Sequence, residues 1–167
     1  MISYNMDHRK PPTGHMAPGR PLVVVGGTVS DAHTWNLIYL ELLLTEHGCR
    51  VVNLGCCVPV DVLLESCRRY RPEMVVLSSV NGHGATDAAR VGPHLRELPE
   101  LSGILLVAGG KLTVTGTLDG PTRESLRRAG FDAVFAESQL DAFVELVGTL
   151  RRREPSLAVA AGAVGDP

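Results

Sequence analysis

The chain has 167 residues, enough for one domain with an ordinary hydrophobic core. With 44% hydrophobic and 20% charged residues it has the composition of a globular protein, and a net charge of -2 gives no basic field for nucleic acid. Aromatic residues make up only 4%, too few for a base-stacking surface, and no apolar run is long enough to span a bilayer, so neither nucleic acid nor membrane is an expected partner.

Residues 1–20 mix prolines, glycines and charges without periodicity and are expected to form a disordered leader, with no role for His8 or His15. The leader lacks the apolar centre of a signal peptide, so a cytoplasmic location is expected. A first strand is expected over 22–26, apolar on both faces as in the middle of a parallel sheet. A polar loop from Asp31 to Asn36 leads into a helix with Leu37, Leu40, Leu43 and Leu44 at helical spacing and a stop at Gly48. A second strand is expected over 50–54. The next helix carries Val60, Leu63, Leu64 and Cys67 on one stripe and closes before Pro72.

The third strand, over 74–78, opens into Ser79-Val80-Asn81-Gly82-His83-Gly84. A helix over about 85–98 follows, with Gly92-Pro93 as a point of interruption. The fourth strand is expected over 103–108, ending in Gly109-Gly110, and residues 111–120 form a threonine-rich loop. A helix over 121–129 takes Pro121 as its first residue. A short fifth strand covers 133–135. Ser138 is expected to cap a last helix bearing Leu140, Phe143, Val144, Val147 and Leu150, with Arg151, Arg152 and Arg153 complementing the dipole at its end. Residues 154–167 read as a disordered tail, which leaves 21–153 as the folded domain. Cys49, Cys56, Cys57 and Cys67 lack the spacing of a zinc site and read as buried thiols; the vicinal pair is a weak redox candidate.

Strands alternating with helices specify an α/β fold: a Rossmann-like (flavodoxin-like), doubly wound, five-stranded parallel sheet in the order 2-1-3-4-5. That order makes strands 1, 3 and 4 neighbours. The loops with Asp31 and His33, with Ser78 to Val80, and with Gly109-Gly110 then meet at the carboxyl edge of the sheet, where such folds bind ligands. Gly26-Gly27 begins no dinucleotide fingerprint, and no P-loop is present. Thr28, Ser30 and Thr34 leave a flavin phosphate loop open as an alternative. Asp31 and His33 are the sharper feature. A carboxylate on one ring nitrogen fixes the tautomer and makes the other nitrogen a better metal ligand. One histidine is too few for a zinc site, but it suffices for a metal already held by a macrocycle with an open axial position.

Asp31-Ala32-His33, Ser78-Ser79-Val80 and Gly109-Gly110 together resemble the D-x-H-x-x-G, S-x-L and G-G signature of cobalamin-binding domains. The resemblance covers about residues 20–150 and is closest to the small-subunit type found in adenosylcobalamin-dependent glutamate mutase. Asn36 stands in place of the signature glycine, where its tolerance of a left-handed backbone would preserve the loop, and Val80 replaces leucine. The resemblance implies His33 as the cobalt ligand, with Asp31 holding its far nitrogen and Ser30, Ala32 and Thr34 lining the same loop. It implies that Ser78, Ser79 and Val80 flank the displaced benzimidazole nucleotide tail, that Gly109 and Gly110 let it pass, and that Lys111, Leu112, Thr113, Val114 and Thr115 wrap it. It implies no catalytic side chain in this chain. It further implies adenosylcobalamin as cofactor, a large catalytic barrel subunit as partner, and rearrangement of L-glutamate to L-threo-3-methylaspartate. Another radical mutase, a methyl carrier or a cobalamin sensor remain as alternatives, beside a flavodoxin-like interaction domain. His83 is expected near the interface, while His47 and His94 are expected to be solvated.

Overall fold

The computed structural model describes residues 19–150. His8, His15, residues 151–153 and nearly all of the expected leader and tail lie outside the described residues. Five strands, β1 (Leu22–Gly27), β2 (Arg50–Asn53), β3 (Met74–Ser79), β4 (Leu105–Gly110) and β5 (Ala133–Ala136), alternate with five helices: α1 (Trp35–Glu46), α2 (Val60–Tyr70), α3 (Gly84–Arg96), α4 (Gly120–Arg128) and α5 (Leu140–Leu150). The strands form one sheet in the order β2-β1-β3-β4-β5, and each neighbouring pair is parallel. This is the doubly wound sheet that the alternation of strands and helices implies. No helix among the described residues is long and apolar enough to cross a membrane.

Strand alternation divides the core into two layers. Val24, Val75, Leu77, Leu106 and Ala108 face one way and pack on Leu63 and Cys67 of α2, Val91 and Leu95 of α3 and Leu126 of α4. Val23, Val25, Val76 and Val107 face the other way and pack on Leu37 and Leu44 of α1 and Phe143 and Val147 of α5. The first three valines of β1 are fully buried, which is why that strand reads as a continuous apolar run rather than an alternating one. None of the four cysteines is in a disulfide. Burial pushes the Cys67 thiol up to about 12.

Several expected boundaries move. β4 starts at Leu105 and continues through Gly109 and Gly110, because both pair with β3, Ser78 opposite Gly109 and Ser79 opposite Gly110. α3 is continuous through Pro93, with Val91 and Leu95 buried on either side of it. Tertiary packing overrides the local helix-breaking tendency there. Pro121 is the second residue of α4, behind Gly120; the cap is Asp119, whose Oδ1 accepts the Thr122 N–H at 2.9 Å. Ser138 lies inside a 3-10 turn, Glu137–Gln139, rather than at a helix cap. The side chain of Gln139 holds that turn instead, accepting the Ala136 N–H at 3.0 Å.

Gly92 sits where α3 approaches the Ala129 carbonyl so closely that an added Cβ would lie 2.0 Å from that oxygen. The obstacle is backbone and cannot rotate away. Gly92→Ala is therefore expected to cost roughly 2–3 kcal/mol, as overpacked cores do. Gly103→Ala, where a Cβ meets nothing within 4 Å, is expected to be close to neutral. Urea melts of the two variants beside wild type check both; equal midpoints would contradict the packing described here.

Candidate functional site

β1 empties into the loop that carries the site. Past Gly27 the chain turns back on itself, with the Asp31 N–H donating to the Thr28 carbonyl at 3.0 Å. The turn carries the Asp31 carboxylate under the end of β3, where it is 1% exposed. Its Oδ2 accepts the Ser79 hydroxyl at 2.9 Å, the Val80 N–H at 2.6 Å and the Asn81 N–H at 3.2 Å. Its Oδ1 accepts the His33 N–H at 3.0 Å and lies 2.6 Å from Nδ1 of the His33 ring. Burial by itself would raise the Asp31 pKa. The donors from His33, Val80 and Ser79 outweigh it and hold the carboxyl at about 2, so it is ionised at neutral pH.

An ionised carboxylate accepts a hydrogen bond from Nδ1–H of a neutral imidazole, which leaves the lone pair on Nε2. The His33 side chain is 52% exposed, and Nε2 makes no hydrogen bond among the described residues. The loop is thus built to present one nitrogen outward while clamping the other. Two further contacts steady it. The Asp31 carbonyl accepts the N–H of Cys57 at 3.0 Å from the loop after β2, where Cys57 has a φ of 51°. Burial, reinforced by Cys56 beside it, pushes the Cys57 thiol up, which disfavours the reactive thiolate. On the other side, the Ser30 N–H and hydroxyl donate to Asp87 Oδ2 on α3 at 3.2 and 2.5 Å. Ala32 and Thr34 are exposed beside His33, and the Thr34 carbonyl opens α1 by accepting the N–H groups of Leu37 and Ile38.

A cavity of about 230 Å³ adjoins this loop, between α1, the ends of β3 and β4, and the β5–α5 connection. Trp35, Asn36 and Tyr39 line it from α1, Ser78 and Val80 from the end of β3, and Gly109 and Gly110 from β4. Phe135 and Phe143, in edge-to-face contact at 5.7 Å, close the β5–α5 side. A Cβ on Gly109 would meet nothing nearer than 3.6 Å, so the fold itself does not demand a glycine there. Gly110 is different: its φ is 101° and a Cβ would lie 2.3 Å from the Ser79 carbonyl oxygen.

The structure separates residues that the motif groups together. Ser78 lines the cavity, while Ser79, one residue on, points to the other face and holds Asp31. Lys111, Leu112, Thr113, Val114 and Thr115 do not line the cavity. Leu112 is buried in the core on the opposite face of the sheet, Val114 is exposed, and the Thr113 and Thr115 hydroxyls engage each other and Thr117. Asn36 is not in a left-handed loop: it belongs to the first turn of α1, is 6% exposed, and donates from Nδ2 to Ser78 Oγ at 3.0 Å. His83 precedes α3, is exposed, and donates its backbone N–H to Asn81 Oδ1 at 2.8 Å.

Asn81 and Asp87 belong to the site's support and were not singled out by sequence. Asn81 donates from Nδ2 to the Ser30 carbonyl at 3.0 Å, tying the first and third loops together, and its Oδ1 lies 3.0 Å from Ser79 Oγ. Its place two residues after Ser79, in a short polar loop, was the available signal. Asp87 is reached from Ser30 across 57 positions, which no local pattern announces.

Residues 21–147 match the B12 binding domain family. The glutamate mutase sigma subunit of Halobacterium salinarum is 31% identical over 135 residues, 80% of this chain and 89% of its own length. That of Yersinia enterocolitica is 29% identical over 134 residues, 80% of this chain and 88% of its own. Among solved structures, a cobalamin-binding protein from Desulfitobacterium hafniense aligns with a TM-score of 0.61 at 18% identity, over 77% of this chain. This chain spans 59% of that longer one, and at such identity the likeness speaks for the fold alone. With the family match covering the whole sheet and the loops at its carboxyl edge, the chain belongs to the B12-binding domain family.

Proposed function

We propose that this chain is the cobalamin-binding small subunit of an adenosylcobalamin-dependent glutamate mutase. It would work with a separate large barrel subunit that holds L-glutamate and releases 3-methylaspartate. The observation that carries the reading is the Asp31–His33 pair, an imidazole clamped at Nδ1 on a side chain that is half exposed.

The residues present fit a corrinoid. Among the described residues no group of three or more His, Cys, Asp or Glu side chains gathers to hold a metal, so a metal here must bring ligands of its own. The cavity, about 230 Å³, is below the roughly 300–1,000 Å³ of sites that enclose a whole drug-sized ligand. It suits a single nucleotide base rather than a macrocycle. Its glycine at position 109, unexplained by packing, keeps the wall low where that base would lie.

In this reading His33 holds cobalt through Nε2, and Asp31 keeps the ring in the required tautomer and orientation. Ser30, Ala32 and Thr34 shape the loop around it. Ser78, Val80, Gly109 and Gly110 receive the nucleotide tail, and Ser79 acts one step removed, through Asp31. Adenosylcobalamin, when bound, would supply the radical chemistry. The protein's part is to orient the cofactor and to present it to the partner. Trp35, Ile38, Tyr39 and Leu42 form an exposed apolar stripe on α1, at the spacing of one helix face, and support the presence of a covering subunit.

Three outcomes test this. His33→Ala is expected to remove the absorbance signature of histidine-ligated cobalamin and to leave the thermal melt within a few degrees of wild type; an unchanged spectrum would sink the assignment of the ligand. Asp31→Asn is expected to lower stability at pH 7 by about 2 kcal/mol, because a carboxyl held at about 2 rather than 3.8 favours the folded state by its shift. The sign follows from the depressed value. The contribution is complete above about pH 4 and fades as the pH falls toward 2, so acid titrations of the two proteins should converge there. Finally, the loaded chain mixed with a glutamate mutase large subunit is expected to convert L-glutamate to 3-methylaspartate. Cofactor binding without turnover beside a partner of verified activity would redirect the proposal to another radical mutase.

A further inference from the structure

Cys56 and Cys57 lie in the turn after β2 that closes on the His33 loop, and the proposed cofactor chemistry makes no use of their thiols. Both are partly exposed, whereas Cys49 and Cys67 are buried. The turn sits tightly against the end of β1. The Gly27 N–H donates to the Gly55 carbonyl at 2.8 Å, and a Cβ on Gly27 would lie 3.1 Å from the Cys56 Cα. Cys57 holds the loop itself. Its backbone N–H donates to the Asp31 carbonyl at 3.0 Å, and its Sγ donates to the same oxygen at 3.5 Å. The Cys57 backbone is left-handed, with a φ of 51°, a conformation uncommon outside glycine and asparagine. The Cys56 and Cys57 side chains also interact directly.

We infer that Cys56 and Cys57 form a redox-modification site: a small-molecule disulfide oxidises the two thiols to a vicinal disulfide, and the oxidised turn loosens its hold on the Asp31 loop. The step is a thiol–disulfide exchange. The Cys56 thiolate attacks one sulfur of the reagent, which forms a mixed disulfide and releases one reagent thiolate. Burial and the neighbouring Cys56 push the Cys57 thiol up, so it is the poorer first nucleophile and serves as the resolving thiol. Its attack on the Cys56 sulfur closes the protein disulfide and releases the second reagent thiolate. Two protein thiols are oxidised, one reagent disulfide is reduced to two thiols, and the two thiol protons pass through solvent to the leaving groups. Once bonded, Cys57 Sγ has no hydrogen to give the Asp31 carbonyl. Neighbouring Cα atoms are about 3.8 Å apart across a trans peptide, inside the roughly 4.4–6.8 Å of ordinary disulfides. The closed ring is therefore strained and easily reduced, which suits a reversible switch rather than a structural staple. The inference stands on the turn and its contacts, whatever His33 binds.

The test incubates the full chain, without cofactor, with oxidised glutathione. Mass spectrometry is expected to show the loss of two hydrogens and no retained glutathione, reversed by dithiothreitol. Alkylation after denaturation should then label Cys49 and Cys67 but neither Cys56 nor Cys57. Amide hydrogen exchange followed by NMR is expected to quicken about fivefold at Cys57, and at His33 through Asp31, the effect of about one lost hydrogen bond. Cys57→Ser lacks the resolving thiol and is expected to stop with glutathione on Cys56. Should that variant not fold, the wild-type masses and exchange rates decide. No protein disulfide, a bond to Cys49 or Cys67, or a vicinal bond that leaves exchange at Cys57 and His33 unchanged would overturn the inference. Each of these results leaves the cofactor assignment to the His33→Ala spectrum.

Discussion

A carboxylate removed from water must be matched by donors, and the five polar contacts to Asp31 organise everything around it. Three come from the end of β3 and two from His33. The same group therefore fastens the loop after β1 to the loop after β3 and sets the direction of the imidazole. Neither loop has secondary structure of its own. Their relative position depends on a charge that is stable in a buried place only while both loops are where they are. This makes the geometry at His33 a property of two strands rather than of one flexible turn.

The pleat of β3 then divides labour between neighbours. Ser78 and Ser79 are chemically identical, yet successive strand residues face opposite sides of a sheet. Ser78 faces α1 and the cavity, and Ser79 faces α3 and the support network. The register with β4 sets Gly109 opposite Ser78 and Gly110 opposite Ser79. At the first pair the missing side chain widens the cavity. At the second it is required by the backbone, since a Cβ would strike the Ser79 carbonyl. Two adjacent glycines thus stand in different surroundings, the first beside the cavity and the second held by the chain itself.

α1 faces three surroundings at once. Leu37 and Leu44 are buried against the sheet, Asn36 lines the cavity from a buried position, Trp35 and Tyr39 border the cavity while half exposed, and Ile38 and Leu42 stand in solvent. A helix with apolar residues around most of its circumference is normally enclosed on most sides. Here the exposed part lies next to the cavity and the His33 loop. In the proposed function, cofactor and partner would therefore both bear on this one helix.

Much of this was legible in the sequence, for identifiable reasons. Apolar runs, turn residues and strict alternation of strand and helix patterns determine the doubly wound sheet, and right-handed crossovers fix its order. That order alone brings Asp31, His33, Ser78 and Gly109 to one edge. Boundaries at Gly109-Gly110, Pro93 and Ser138 were not legible, because strand pairing and helix packing outweighed the local preferences of glycine, proline and serine there. Nor was the destination of residues 111–115. Their composition suited a ligand loop, while Leu112 was drawn into the core on the far side. The tertiary structure alone decided that Asn36 would meet Ser78 across 42 positions and that Asp87 would hold Ser30 across 57. Hydrogen bonds between residues so far apart in the chain leave no periodic trace in it; they exist only once the sheet has set the loops side by side.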